Sequence, residues 1–144
     1  MVEFGDTLFI VLRKQRLIAL HWIHHILTLI YTWYTMFELT CNARWLICMN
    51  FFVHSIMYTY FAIMASGRRV KPIYASIVTL IQIIQMIFGL ITEAMILYIP
   101  NEHCHKPISY NIFGFVMYFL YFVMFSQLFI QKYICAKSDV KKKN

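Results

Sequence analysis

Apolar residues along this chain fall into four long stretches separated by short polar or basic connections. A helix needs about 20 mostly apolar residues to cross the hydrocarbon of a bilayer. By that rule the pattern predicts transmembrane helices over residues 17–37, 45–65, 73–99 and 108–130. The last two exceed the minimum and must tilt or project. Thr7 to Leu12 is apolar but too short to span, and reads as the last turns of a preceding helix. Residues 131–144 read as a basic cytosolic tail. No Pro/Gly/Ser-rich linker and no internal repeat breaks the run, so a single membrane domain over 1–144 is expected. The expected fold class is an all-α integral membrane protein: four full transmembrane helices plus the end of a preceding one.

Composition supports that class. Hydrophobic residues make up 61% of the chain and charged residues only 13%, whereas a soluble domain carries about a quarter charged residues. The net charge of +7 invites a nucleic-acid reading. That reading fails, because the basic residues sit in clusters between apolar runs, as membrane loops are built. Arg13, Lys14 and Arg16 precede the first span, and Arg68, Arg69 and Lys71 separate the second from the third. Lys132, Lys137, Lys141, Lys142 and Lys143 follow the fourth. In an up-down count these clusters share one side and hold 11 of the 13 basic residues. The positive-inside rule places that side, with the C-terminus, in the cytosol. Lys141 and Lys142 stand fourth and third from the end of "KKKN", the position of a dilysine address for retrieval to the endoplasmic reticulum, a signal read by a receptor.

The four cysteines lack CxxC spacing, and a disulfide framework is not expected in so apolar a chain. Cys41 and Cys104 lie in short connections on the far side. There "NEHCHKP" offers His103, Cys104 and His105, better read as a solvated loop than as a metal site. Glu93, near the far end of the third span, reads as a snorkelling or capping residue. Trp33, Trp45, Tyr98 and Tyr133 stand where an interfacial aromatic belt belongs.

Candidate chemistry lies in one layer of the membrane. In "HWIHH", His21, His24 and His25 are spaced i, i+3 and i+4 and so crowd one helix face. A rise of 1.5 Å per residue puts them roughly 6 to 12 Å from the cytosolic edge. His54 lies about 16 Å from the same edge, and Gln82 and Gln85 about 14 to 18 Å. Asp6, Tyr58 and Tyr60 also fall in this half. A lone intramembrane histidine is ordinarily an interhelical hydrogen bond. Polar groups from four successive segments at one depth point instead to function, since ionisable groups in a span face the bundle interior or a wet cavity.

Three uses are open to such a layer. One is metal binding, because HxxHH resembles a histidine box of membrane desaturases and hydroxylases. Those di-iron enzymes need more histidines than this layer holds, although a smaller three-nitrogen site is geometrically allowed. A second is proton or substrate transport, for which broken helices or an inverted repeat are missing. The third is acyl transfer, with neutral imidazole as nucleophile and general base. No cysteine falls in the layer, so an imidazole would carry any covalent acyl group.

Four ordered motifs then carry a resemblance. "VEFGDTLFIVLRKQ" resembles the KxxExxDT motif of the ELO fatty acid elongases through Glu3, Asp6 and Thr7, without its leading Lys. "HWIHH" matches their HxxHH box at His21, His24 and His25. "MNFFVHSIMYTYF" resembles their NxxVHxxMYxYY motif through Asn50, His54, Met57, Tyr58 and Tyr60, with Phe61 in place of the last Tyr. "TLIQIIQM" matches their TxxQxxQ motif at Thr79, Gln82 and Gln85. The chain is most similar to the branch that extends saturated and monounsaturated acyl chains of about palmitoyl length. Family members are about twice as long, so the chain reads as an N-terminally truncated member.

The resemblance implies seven transmembrane helices, six of them ringing an acyl tunnel. It implies that long-chain acyl-CoA and malonyl-CoA condense to 3-ketoacyl-CoA, carbon dioxide and CoA, without a further cofactor. His21 or His54 would attack the thioester, and His24 or His25 would move protons. Asn50, Gln82 and Gln85, with Tyr58 and Tyr60, would support the site, and Asp6 would orient a histidine. Arg13, Lys14, Arg16, Arg68, Arg69 and Lys71 are suited to CoA phosphates. The acyl tail would pass Met49, Phe51 and Phe52. Other enzymes of the elongation cycle and a second copy of the chain are expected partners, and nucleic acid is not.

Overall fold

The computed structural model describes residues 19–37, 42–98 and 107–135, with side chains in the first segment from Trp22 onward. The described residues form four α-helices: α1 (Ala19–Phe37), α2 (Ala43–Ala65), α3 (Pro72–Ile96) and α4 (Ile108–Phe129). A π-helical stretch, Ile130–Cys135, prolongs α4. The apolar runs therefore fold as expected, with two adjustments at their ends. The third helix stops at Ile96 rather than 99, after which Leu97 and Tyr98 form a turn bonded to Ala94 and Met95. The last helical stretch continues past the expected end at 130, with the backbone helical through Cys135.

Three of the helical segments, Ala43–Ala65, Pro72–Ile96 and Ile108–Cys135, are long and apolar enough to cross a membrane. The chain is a multi-pass membrane protein. The fourth expected span, α1, has 19 residues and a length of about 28 Å. Three histidines and three threonines dilute its apolarity. His24, His25 and Thr35 are turned inward and buried, while Trp33 and Phe37 face outward.

Sequence dictates the tight turn between α2 and α3. Ser66 and Gly67 donate to the carbonyls of Ala62 and Met64. Gly67 takes φ of 79°, a left-handed value that costs any residue with a Cβ. Lys71 is extended and Pro72 opens α3, where a missing N–H and a preset φ are suited to the first helical turn.

The helices pack as a bundle in which α3 and α4 make the broadest interface; α2 contacts α3, and α1 bridges α4 and α2. The close approach of α3 to α4 depends on Gly89, where a Cβ would overlap the Tyr118 ring. Tyr31, Leu46, Ile83, Met86, Met117, Tyr118, Tyr121 and Phe125 make the core. Much of the remaining surface is large and apolar, Trp33, Trp45, Phe52 and Tyr98 included, as a lipid solvent allows. Three of the four expected belt residues are thus outward. The fourth, Tyr133, is half-buried and packs on Phe129 with ring centroids 5.2 Å apart.

The far ends of all four helices meet at one buried carboxyl. Glu93 of α3 is fully buried. Its Oε1 accepts from the Tyr31 hydroxyl at 2.5 Å and from Asn42 Nδ2 at 2.9 Å. Asn111 Nδ2, in the first turn of α4, donates to the Glu93 main-chain carbonyl at 2.9 Å and approaches Oε2 at 3.3 Å. The snorkelling role expected for Glu93 is therefore wrong. Gly114 makes the knot possible, since a Cβ there would come within 2.8 Å of both Glu93 Oε1 and the Tyr31 hydroxyl. Donors from three other helices hold the side chain inside, so reaching for the interface would leave them without an acceptor.

Candidate active site at a buried histidine layer

His24 and His25 sit in the second turn of α1, and His54 lies in the middle of antiparallel α2. All three are buried. The ring centroids are 5.3 Å apart for His24 and His25, 6.3 Å for His24 and His54, and 6.1 Å for His25 and His54. His24 and His54 lie nearly parallel, with 9° between planes, and His25 closes the triangle at a steep angle to both. The HxxHH box and the VHxxMY motif thus form one cluster. His21 belongs to α1, but its side chain lies outside the described residues, as do Asp6, Arg13, Lys14, Arg16, Lys141 and Lys142. Cys41, His103, Cys104 and His105 also lie outside them.

Helix α4 supplies a wall that sequence reasoning missed. Tyr121, almost fully buried, presents its ring edge-on to His24 at 4.5 Å between centroids. Its hydroxyl donates to the His24 main-chain carbonyl at 2.9 Å and lies 3.1 Å from Thr28 Oγ1. Phe125, one helical turn further along α4, also packs edge-on with His24 at 5.7 Å between ring centroids. A signal existed: Asn111, Gly114, Tyr118, Tyr121 and Phe125 recur at helical spacing along one stripe of α4. That stripe is hard to see because lipid-facing and core-facing positions of a membrane helix are both apolar.

The supporting residues divide. Gln85 is buried and, with Asn50, joins His24 in lining a cavity of about 90 Å³. Tyr58 lies beside His54 at 5.9 Å between ring centroids. Gln82 turns to α2, donating from Nε2 to the Met57 sulfur at 3.2 Å, and does not line the cavity. Tyr60 lies beside Phe61 at 5.8 Å between rings and is likewise absent from the cavity wall. Of the residues expected along the acyl path, Phe51 lines the cavity, Met49 packs on the core and Phe52 points outward. Phe52 does not line the cavity, and the inward arc of α2 is held by Leu46, Val53, His54 and Met57. Arg68, Arg69 and Lys71 are exposed on the α2–α3 connection, about 16 Å along α2 from His54.

The cavity runs from His24 along α1 past Thr28, Tyr31 and Thr32 to Thr35, and along α2 from Asn50 back to Ala43. Its polar-looking wall is largely satisfied from behind. Thr35 Oγ1 donates to the carbonyls of Tyr31 and Thr32, at 2.9 and 3.2 Å, and Thr28 pairs with Tyr121. Committed hydroxyls leave a mainly hydrocarbon surface beside Leu29, Leu46, Ile47, Met86 and Met117. Among the described residues no group of three His, Cys, Asp or Glu has metal-binding geometry.

The ordered motifs find their counterpart in a family-wide match: the sequence profile of the ELO family, described as the GNS1/SUR4 family, matches residues 1–142. The chain belongs to this family. This ELO chain is 40% identical over 141 residues to very long chain fatty acid elongase 6 of Gallus gallus, covering 97% of the chain and 53% of that relative. It is 42% identical over 136 residues to very long chain fatty acid elongase 6 of Drosophila melanogaster, covering 92% and 43%. Very long chain fatty acid elongase 3 of Homo sapiens is 36% identical over 145 residues, covering 100% and 54%. The ELO chain therefore spans about half the length of the curated relatives it matches. No solved structure matches it.

Proposed function

We propose that this chain carries the histidine layer of a fatty acid elongase, which condenses long-chain acyl-CoA with malonyl-CoA to 3-ketoacyl-CoA, carbon dioxide and CoA. The observation that carries the reading is the convergence of His24, His25 and His54 in one buried cluster, with His24 lining a mainly hydrocarbon-walled cavity. Family membership and the elongase names of the relatives support it.

In this reading an imidazole, His21 or His54, attacks the thioester carbon. The C–S bond breaks, and CoA leaves with the proton that the imidazole gives up. Malonyl-CoA then loses carbon dioxide. The electron pair left on its α-carbon attacks the acyl-imidazole, forming the 3-ketoacyl C–C bond and breaking the C–N bond, and the released imidazolate takes up one proton from water to return as neutral imidazole. His24 and His25 move protons, while Asn50 and Gln85 donate hydrogen bonds to developing negative charge. Tyr58 steadies His54, and Asp6 orients a histidine. Gln82 acts through its hold on Met57. Both steps use only the two substrates, so no cofactor is needed.

Arg13, Lys14, Arg16, Arg68, Arg69 and Lys71 pair with CoA phosphates at the cytosolic face. The protein resides in the endoplasmic reticulum membrane with its C-terminus in the cytosol, where Lys141 and Lys142 provide the retrieval address. The later enzymes of the elongation cycle and a second copy of the chain are its partners.

The decisive assay is malonyl-CoA-dependent release of carbon dioxide in membranes containing the protein, with intact-mass detection of an acylated chain. His21→Ala and His54→Ala are each assayed against the unmodified protein. Loss of the acyl adduct in either supports the reading. Full condensation activity in both would remove it.

A further inference from the structure

Two amide side chains face the cavity with their hydrogen-bonding capacity unspent. Gln85 of α3 is 4% exposed and lines the cavity, and Asn50 of α2 lines it as well. Among the described residues neither amide makes a hydrogen bond to another side chain or to the backbone. Gln82, one turn before Gln85, differs: its amide is committed to the Met57 sulfur at 3.2 Å. An amide offers two donors and an acceptor, and a buried one left unmet is costly.

The size of the cavity selects the partner. It encloses about 90 Å³, room for about three water molecules at ~30 Å³ each. That is well below the ~300 Å³ at which pockets for organic ligands begin. A cavity walled only by hydrocarbon stays dry, because a water needs two to four polar partners. Here His24, Asn50 and Gln85 supply polar groups on one lining. Their level is that of the histidine cluster. Asn50 stands one turn before His54 on α2. Gln82 touches Met57 across antiparallel α2 and α3, so Gln85, three residues further on, comes level with His54.

Resting on the elongase reading above, we propose that this cavity is a water pocket, and that its water gives the protein a second activity: hydrolysis of long-chain acyl-CoA when malonyl-CoA is lacking. The acyl-imidazole is the shared intermediate. A pocket water held by Asn50 and Gln85 attacks the acyl carbon and passes a proton to His24. The new C–O bond forms and the C–N bond breaks. The released imidazolate recovers the proton from His24, and the carboxylic acid loses its own to solvent. The sum is acyl-CoA and water giving fatty acid and CoA, with no co-reactant besides water. Malonyl-CoA competes for the same acyl carbon and diverts it to the 3-ketoacyl product.

The test gives the purified protein in lipid vesicles palmitoyl-CoA without malonyl-CoA, in water enriched in oxygen-18. The expected result is continuing release of CoA and fatty acid in equal amounts, beyond one per chain, each fatty acid carrying one oxygen-18. Added malonyl-CoA should lower fatty acid as 3-ketoacyl-CoA rises. Hydrolysis should vanish in whichever of His21→Ala and His54→Ala loses the acyl adduct. Ile47→Trp crowds the cavity one turn from Asn50 and should lower the ratio of hydrolysis to condensation by roughly 10-fold. X-ray radiolysis reads the water directly. Met86 and Met117, 2% and 4% exposed, line the cavity, whereas Met57, 7% exposed, does not. Met86 and Met117 should oxidise faster than Met57. A single burst of CoA with a lasting adduct and no labelled fatty acid would overturn the proposal and leave the elongase reading standing. So would equal protection of all three methionines, or hydrolysis that persists in both histidine variants. Absence of adduct, condensation and hydrolysis together would remove both ideas. Should Ile47→Trp not fold, the oxygen-18 and radiolysis results on the unmodified protein decide.

Discussion

The Tyr121 hydroxyl donates to the main-chain carbonyl of His24 at 2.9 Å, while the ring of the same tyrosine packs edge-on against the His24 imidazole. One residue of α4 thereby sets both the backbone and the ring of a residue in the histidine layer. Tyr121→Phe keeps the ring and loses the hydrogen bond. It should cost about 1 kcal/mol of stability and, by loosening His24, lower condensation by roughly 10-fold. Tyr121→Ala should cost about 3 to 5 kcal/mol. Unfolding in mild detergent, measured beside carbon dioxide release, separates the two effects.

The split between residues that reach the layer and residues that do not gives a second expectation. His54→Ala should reduce the rate by about 100-fold or more. Tyr60→Phe, whose hydroxyl is outside the cavity wall, should change stability and transition-state energy by less than about 0.5 kcal/mol. Comparable losses in the two variants would contradict the placement of the site.

Glu93 is a structural anchor by its bonding. Glu93→Ala strands the Tyr31 hydroxyl and Asn42 Nδ2, while Asn111 Nδ2 keeps the main-chain carbonyl of residue 93, and should destabilise the bundle by about 2 to 4 kcal/mol. Glu93→Gln retains one acceptor oxygen and should cost less than Glu93→Ala. Reversible unfolding in mixed micelles can rank the two. Equal stability of Glu93→Ala and the unmodified protein would dissolve the knot as an energetic feature.

Helix contact at Gly89 is similarly exposed to test. Gly89→Ala drives a methyl group into the Tyr118 ring and should destabilise by about 1 to 3 kcal/mol through overpacking. Gly67→Ala, on the α2–α3 turn with its left-handed φ, should cost about 1 kcal/mol through backbone strain alone. A double variant should be additive, since the two sites share no partner.

The exposed cluster Arg68, Arg69 and Lys71 should act on binding rather than chemistry. Replacing all three by Gln is expected to raise KM for acyl-CoA by roughly 3- to 10-fold, with kcat little changed and a weaker dependence on salt. A fall in kcat with KM unchanged would place these residues elsewhere in the mechanism.

Sequence periodicity was sufficient for the membrane class and the four helices. Those properties are local: apolar run length sets a helix. The i, i+1 spacing of His24 and His25 put both on one helix, but their meeting with His54, and the sharing of a cavity by His24, Asn50 and Gln85, needed the packed helices. Which side of each helix faces inward was not legible, because core and lipid are both hydrocarbon and the pattern carries little contrast. Only the packing of α4 on α1 brought Tyr121 to His24, and only the packing of α3 on α2 turned Gln82 toward Met57. Only the meeting of four helix ends made Glu93 a buried junction instead of an interfacial side chain. A carboxyl near the end of a span can reach water or be enclosed by donors, and the choice belongs to Tyr31, Asn42 and Asn111, far away in the chain and adjacent only after folding.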